Sequence, residues 1–296
     1  MSYAIIGLGK WGKNLIKEFS KLEEISYCYT KGNQKNISWL KKNFPNVKYV
    51  DSLAPILMDK KISSVIISTP IKSHYSLSLT ALKHGKNVFV EKPLGTTPRQ
   101  CSSLIKVAKK QNLKLFVGHI FLYHPVFIKI HKLIQNDPIV YLDSSWEKYG
   151  TFSEDIGLNL LTHQFSIITS FLGIPEKIIL HKQQSKKLEK NLVCLDMNFK
   201  KNIQARVLTN RLSSKKRFLI TILTKNNIYI WENNELYKFD KIKKTFKLFF
   251  RSKNTPLEIE CKEFVNYINN NFASFNNTKQ ALTTIKLLKQ TIFQKI

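Results

Sequence analysis

Ser2-Tyr-Ala-Ile-Ile-Gly7-Leu8-Gly9-Lys10-Trp11-Gly12-Lys13-Asn14-Leu15-Ile16 reads as an apolar strand, a Gly-x-Gly-x-x-Gly turn and the start of an amphipathic helix. Each glycine has a distinct task in such a turn. Gly7 permits the tight bend, Gly9 removes the side chain that would block an approaching pyrophosphate, and Gly12 lets helix and strand pack closely. The helix that follows offers unpaired N–H groups and a partial positive charge to an anion. A second strand, Ile25 to Tyr29, comes after the helix, so the turn lies in the βαβ setting in which this spacing holds a dinucleotide.

Working outward, the first part of the chain alternates strand and helix. Strands are expected at Tyr3–Ile6, Ile25–Tyr29, Val47–Val50, Val65–Ser68, Val88–Val90 and Leu115–Val117. Helices are expected between them, for example Asn14–Lys21, Ile37–Asn43 and Ser73–His84, the last closed by Gly85. Short β-branched runs separated by helical periods argue for an α/β fold with a doubly wound parallel sheet. After Pro125 the pattern changes. A helix near Val126–Gln135, an extended stretch at Ile139–Tyr149 and a helix near Leu158–Phe171 lead to consecutive strands. These fall at Lys177–Lys182, Asn191–Asn198, Gln204–Asn210, Arg217–Thr224 and Asn227–Trp231. Strands without intervening helices imply an α+β domain with a mostly antiparallel sheet. The segment Pro256 to Ile296 reads as two helices split by Asn269–Thr278, and the polar stretch Lys182–Lys190 reads as a solvated hairpin loop. The expected domains are residues 1–120 and 121–296, with the C-terminal helix free to return to the first.

Chemistry concentrates between Ile62 and Gly95. Thr69-Pro70 and Glu91-Lys92-Pro93 each fall at the C-terminal end of a strand, the edge at which open α/β sheets bind ligands. A lysine there can hydrogen-bond a sugar hydroxyl or ketone and steady the charge that develops as hydride moves. The proline-fixed turn sets Lys92 apart from the many surface lysines.

Four motifs in order, Gly7-Leu-Gly-Lys-Trp-Gly-Lys-Asn14, Thr69-Pro70-x-x-x-His74, Glu91-Lys92-Pro93 and Gly118-His119-Ile-Phe-Leu-Tyr-His-Pro125, resemble those of the Gfo/Idh/MocA oxidoreductases. The resemblance runs to about Gly173, and Pro256-Leu-Glu-x-x-x-Lys-Glu-Phe264 resembles the family's closing helix. It implies a Rossmann-like first domain with NADP or NAD held on Gly7, Gly9, Lys10, Trp11 and Gly12. Thr69, Pro70 and His74 would line the cofactor's path, with Glu91 and Lys92 near the nicotinamide. His119 and Tyr123 would line the substrate pocket. It further implies that Lys92 and His163 are catalytic, since His163 fits the family's proton-transfer histidine. That histidine is usually preceded four residues earlier by aspartate, whereas here Asn159 stands, and the nearest upstream carboxylate is Asp155. Asparagine can hydrogen-bond a substrate hydroxyl but takes up no proton near neutrality, while imidazole titrates there. The expected activity is hydride transfer between nicotinamide and a sugar carbinol or ketone. The Trp11-Gly-Lys-Asn14 form of the turn resembles members that act on nucleotide-linked sugars in surface polysaccharide synthesis. Asn159 leaves a second reading open, a non-catalytic dinucleotide-binding or sensor protein of the same fold.

Cofactor choice is read after the second strand. Tyr29-Thr30-Lys31-Gly32 lacks the carboxylate that binds the adenosine ribose of NAD, and Thr30 and Lys31 suit a 2′-phosphate, so the expectation leans to NADP.

Composition narrows the classes. The chain has 296 residues and is 43% hydrophobic, enough for two cored domains. Its formal net charge is +28, almost all of the excess lysine, with arginine only at Arg99, Arg206, Arg211, Arg217 and Arg251. Enrichment in Lys, Asn and Ile together fits drift in an AT-rich genome. With no arginine-and-aromatic stripe, no specific nucleic-acid partner is expected, although the charge favours anionic ligands. Cys28, Cys101, Cys194 and Cys261 form neither metal spacing nor a disulfide framework, so no metal is expected. No apolar run is long enough to span a bilayer and no signal peptide precedes the first strand, so no membrane partner and a cytoplasmic location are expected. The C-terminal sheet is expected to pair subunits in a homo-oligomer.

Overall fold

In a computed structural model of the protein, the described residues are 2–149, 155–181, 183–185, 188, 190–270 and 277–291. They form two compact units. The first comprises Met1–His119 with Leu257–Ile285, and the second Ile120–Pro256 with Lys286–Ile296.

The first unit is built on six parallel strands, β1 (Ser2–Ile6), β2 (Ile25–Tyr29), β3 (Lys48–Val50), β4 (Ile62–Ile67), β5 (Asn87–Glu91) and β6 (Leu115–Gly118). Their order is β3-β2-β1-β4-β5-β6, the doubly wound arrangement. Every residue of β1 is buried, as is the Val65-Ile-Ile67 run of β4, because the central strands are covered on both faces. The connecting helices are α1 (Lys10–Phe19), α2 (Gln34–Asn43), α3 (Ala54–Met58), α4 (His74–Lys83) and α5 (Pro98–Lys110). α1 buries Gly12, Leu15, Ile16 and Phe19, one stripe at helical spacing. It starts four residues before the expected Asn14, because the turn itself caps it: Gly9 is its N-cap in extended conformation.

The core of this unit is completed from far along the chain. Phe264, on α8 (Pro256–Asn270), sits among Tyr3, Phe19, Phe89 and Phe116 with ring centroids 6.0, 5.9, 5.6 and 5.6 Å away. Mostly tilted and edge-to-face packing of this kind adds to the burial of large apolar area.

Among the described residues the second unit holds eight strands, β7 (Ile139–Glu147), β8 (Lys177–His181), β9 (Leu192–Phe199), β10 (Ile203–Asn210), β11 (Arg217–Thr224), β12 (Ile228–Glu232), β13 (Glu235–Asp240) and β14 (Thr245–Arg251). Their order is β14-β13-β12-β11-β7-β10-β9-β8, and only β7 and β10 run parallel. Alternation is clear in β9, where Val193, Leu195, Met197 and Phe199 are buried. α6 (Pro125–Leu133) and α7 (Thr162–Leu172) precede the strand run. Gln164 anchors α7: fully buried, it donates to the Ser144 and Leu208 carbonyls, both at 3.1 Å, and accepts from the Thr209 hydroxyl. The turn at Lys225-Asn226-Asn227 is held by Asp137, which accepts from Thr224, Asn226 and Asn227.

Two strands escaped the sequence reading, β13 and β14. The residues of β14 are exposed except for the half-buried Phe250, and a two-sided edge strand leaves no apolar alternation to read. The final helices are α8 and α9 (Asn277–Thr291), close to the expected split. Several residues of the Lys182–Lys190 loop, and Asn271 to Asn276, lie outside the described residues.

Candidate active site

The turn after β1 is pinned on both sides. Gly7 N–H donates to the Tyr29 carbonyl at 2.8 Å, and the Ser68 hydroxyl donates to the Gly7 carbonyl at 2.9 Å. Gly7 has φ +100°, which side-chain-bearing residues rarely adopt. A Cβ on Gly12 would lie 2.1 Å from the Gly7 carbonyl oxygen, so helix and turn touch backbone to backbone there. A Cβ on Gly9 would meet nothing within 4 Å. Its open side faces outward, as a phosphate approach requires, and the first-turn N–H groups of α1 are available to an anion because no acidic residue occupies that turn. These residues fit a dinucleotide pyrophosphate. Lys10 and Trp11 are exposed on the same turn.

Thr30, just past β2, is buried, while Lys31 is exposed and Gly32 takes φ +62°. The bend after β2 therefore presents a lysine and no carboxylate.

Thr69-Pro70 follows β4 and Lys92-Pro93, joined by a cis peptide, follows β5. In the sheet order the ends of β1, β4 and β5 are successive neighbours. His74 ties two of them together. It is 1% exposed, and its Nδ1 and Nε2 lie 2.8 Å from the Pro93 and Thr69 carbonyl oxygens. Burial holds its pKa below the usual histidine value, and the Lys92 charge adds to this. Both ring nitrogens thus lie against main-chain carbonyls of the Thr69 and Pro93 turns. Thr69 Oγ1 accepts from Ser73 at 2.7 Å.

Glu91 accepts a hydrogen bond from Trp11 Nε1 at 2.5 Å. Burial pushes its carboxyl up to about 7, against the pull of Trp11 and of Lys92. His119 follows β6, is 1% exposed, and has no hydrogen-bond partner at either ring nitrogen. Burial first and the Lys92 charge second lower its pKa to about 3, so the ring is neutral at physiological pH.

The other expected residues belong to the second unit. Tyr123 is 1% exposed. His163, on α7, is buried against Phe121 and Trp146 with ring centroids 5.1 and 5.0 Å away. Asn159 lies in a single π-helical turn, Gly157–Leu161, ahead of α7, and its N–H donates to the Asp155 carbonyl. The Asp155 carboxylate is engaged by the Gly157 and Leu158 N–H groups, a capping role. Sequence reasoning missed Ser68, the anchor of the glycine turn. Among the described residues no group of three His, Cys, Asp or Glu could hold a metal ion, and no helix is long and apolar enough to cross a membrane.

Comparison with known proteins agrees with the glycine turn. An uncharacterized oxidoreductase of Streptococcus pneumoniae is 29% identical over 122 residues, 40% of this chain and 32% of that protein. The scyllo-inositol 2-dehydrogenase (NADP(+)) IolW of Bacillus subtilis is 27% identical over 117 residues, 40% of this chain and 33% of its own length. The matches thus span about a third of these relatives. Among solved structures, UDP-N-acetylglucosamine 3-dehydrogenase GnnA from Acidithiobacillus ferrooxidans shares the fold, with a TM-score of 0.89 at 17% identity over 99% of this chain and 97% of that one. Residues 1–119 match the Gfo/Idh/MocA family, described as oxidoreductase family, NAD-binding Rossmann fold.

Proposed function

We propose that the protein moves hydride between the carbinol carbon of a sugar, most simply a nucleotide-linked one, and a nicotinamide. The observation that carries this reading is the shared sheet edge. A pyrophosphate cradle after β1 and Lys92 after β5 stand with only the end of β4 between them. The bound cofactor supplies the hydride acceptor or donor. Lys92 binds the reacting oxygen and favours its negative charge, His163 exchanges the proton, and Asn159 orients a hydroxyl. His119 and Tyr123 line the substrate's side. Sugar chemistry is supported by IolW, named for scyllo-inositol, and by GnnA, named for a nucleotide sugar. The test is incubation of the protein and NADP+ with a panel of nucleotide sugars, free sugars and cyclitols, following reduced nicotinamide by absorbance. Turnover of a nucleotide sugar is expected. Tight cofactor binding with no turnover in either direction would instead favour the non-catalytic reading that Asn159 suggests.

Cofactor choice is proposed to lean to NADP through Thr30 and Lys31. Fluorescence titration should give a lower Kd for NADPH than for NADH. Lys31→Glu should erase that preference, a change of about tenfold or more for one charge-assisted contact. A wild-type protein preferring NADH sinks this assignment.

The second unit's sheet is proposed to pair two copies. Val140, Ile179, Phe246, Leu248 and Phe249 are large apolar residues left exposed on its strands. Light scattering after size exclusion should give twice the chain mass or a multiple of it, and a monomer at micromolar concentration defeats the idea.

A further inference from the structure

Hydrogen bonds that end on main chain tie the glycine turn to β2 and β4, and a bond of another kind ties it to β5. Gly7 N–H donates to the Tyr29 carbonyl at the end of β2, and the Ser68 hydroxyl, just past β4, donates to the Gly7 carbonyl. The tie to β5 runs from side chain to side chain. Trp11, the second residue of α1, donates its indole N–H to Glu91 Oε1 at 2.5 Å. Because β4 lies between β1 and β5, this bond steps over one strand end. Trp11 is 37% exposed, so burial alone does not hold its ring at the turn.

Glu91 ends β5, and Lys92 is the next residue. A hold on the Glu91 carboxyl is therefore a hold on the backbone from which Lys92 projects. The neighbouring strand makes room for that carboxyl. Gly118 is its register partner on β6, and a Cβ there would lie 2.9 Å from Glu91 Oε1 and 3.1 Å from its Cδ. The φ of Gly118 lies outside the left-handed region, so glycine is required there for space and not for conformation. The oxygen that overlies Gly118 is the one that accepts from Trp11. An indole N–H can only donate, and a carboxyl offers an accepting oxygen in either protonation state, so the bond needs no proton to move.

We propose that Trp11 and Glu91 are positioning residues that act as one tie, holding the phosphate turn against the strand end that bears Lys92, with Gly118 leaving the room for it. The proposal rests on the dinucleotide reading of the turn and goes beyond it: the two residues serve the cofactor through each other and not by separate contacts. The tie lies within the first unit and does not depend on which substrate the protein takes.

Two readouts test it. The first is the Trp11 indole N–H resonance of 15N-labelled protein without cofactor, assigned among the four tryptophans by its loss in Trp11→Phe. In Glu91→Leu the signal should move to the position of a solvated indole. In Glu91→Gln, which keeps an accepting oxygen, it should stay near the wild-type position. Gly118→Ala should displace it too, because the added methyl pushes the carboxyl aside. The second readout is a double-mutant cycle on NADPH affinity. Trp11→Phe and Glu91→Leu should each raise Kd by about tenfold, and the double variant by about the same tenfold, since either change breaks the same bond. Losses that multiply to about a hundredfold in the double variant mean two separate contacts and overturn the proposal. An indole signal that ignores Glu91→Leu, or single variants with wild-type affinity, overturn it as well. If Glu91→Leu does not fold, Gly118→Ala takes its place in the cycle. A wild-type protein that binds neither NADPH nor NADH defeats the dinucleotide reading instead, and the indole signal then still decides whether the tie exists.

Discussion

Gly9→Val is expected to fold normally and lose its dinucleotide, whereas Gly12→Ala is expected to destabilise the fold. The two positions lie three residues apart in one turn, and their difference is steric. Gly9 is extended, with φ −71° and ψ −172°, a conformation open to valine, and a Cβ there meets nothing within 4 Å. The added methyls project into the space by which a pyrophosphate reaches the helix N-terminus. Affinity for NADPH should fall by about a hundredfold or more, the loss of nearly 3 kcal/mol. The Cβ added at Gly12 would overlap a main-chain oxygen 2.1 Å away, and no rotamer relieves that. A cost above about 4 kcal/mol and a Tm drop of about 10 °C are expected. Thermal melts and cofactor titration of both variants check this. A folded Gly9→Val protein with undiminished affinity would remove the phosphate site from this turn.

Lys92→Met should lower turnover by about a hundredfold or more once a substrate is in hand, with cofactor affinity little changed. Methionine keeps the length and apolar stem of lysine but cannot hold a reacting oxygen or favour its charge. Loss of Lys92 also removes a positive charge that helps keep His74 and His119 neutral and draws Glu91 toward ionisation, so the pH profile should shift as well as the rate. His163→Ala should cost a similar factor, because the group proposed to exchange the proton is gone. Asn159→Asp should leave activity intact or raise it. An active enzyme indifferent to Lys92→Met rules out this division of labour.

What could be read in advance follows from how local each signal is. The β1–turn–α1 unit is legible because fifteen consecutive residues carry strand, glycine spacing and helix period together. The parallel sheet follows from runs such as Val65-Ile-Ile67 that only a doubly covered strand needs. β13 and β14 were not legible, since Glu235–Asp240 and Thr245–Arg251 interleave charge with aromatics on a thinly covered edge. That His74 bridges two turns was not legible, because its partners are main-chain carbonyls far apart in sequence. The Trp11–Glu91 bond joins residues 80 apart, and only the folded sheet brings β1 and β5 to one edge.

Phe264 gives the order of synthesis a physical meaning. The sheet of the first unit is encoded by residues up to His119, yet the ring that fills the space among Tyr3, Phe19, Phe89 and Phe116 is translated only after Ile120–Pro256 of the second unit. At ordinary elongation speeds the gap is on the order of ten seconds. Over that interval the nascent Rossmann half lacks the ring that fills its aromatic cluster, and the apolar surface of Tyr3, Phe19, Phe89 and Phe116 stays without its native cover. An N-terminal fragment ending at His119 would lack that cover permanently, whereas a circular permutant that starts with α8 would make the plug first and the socket second.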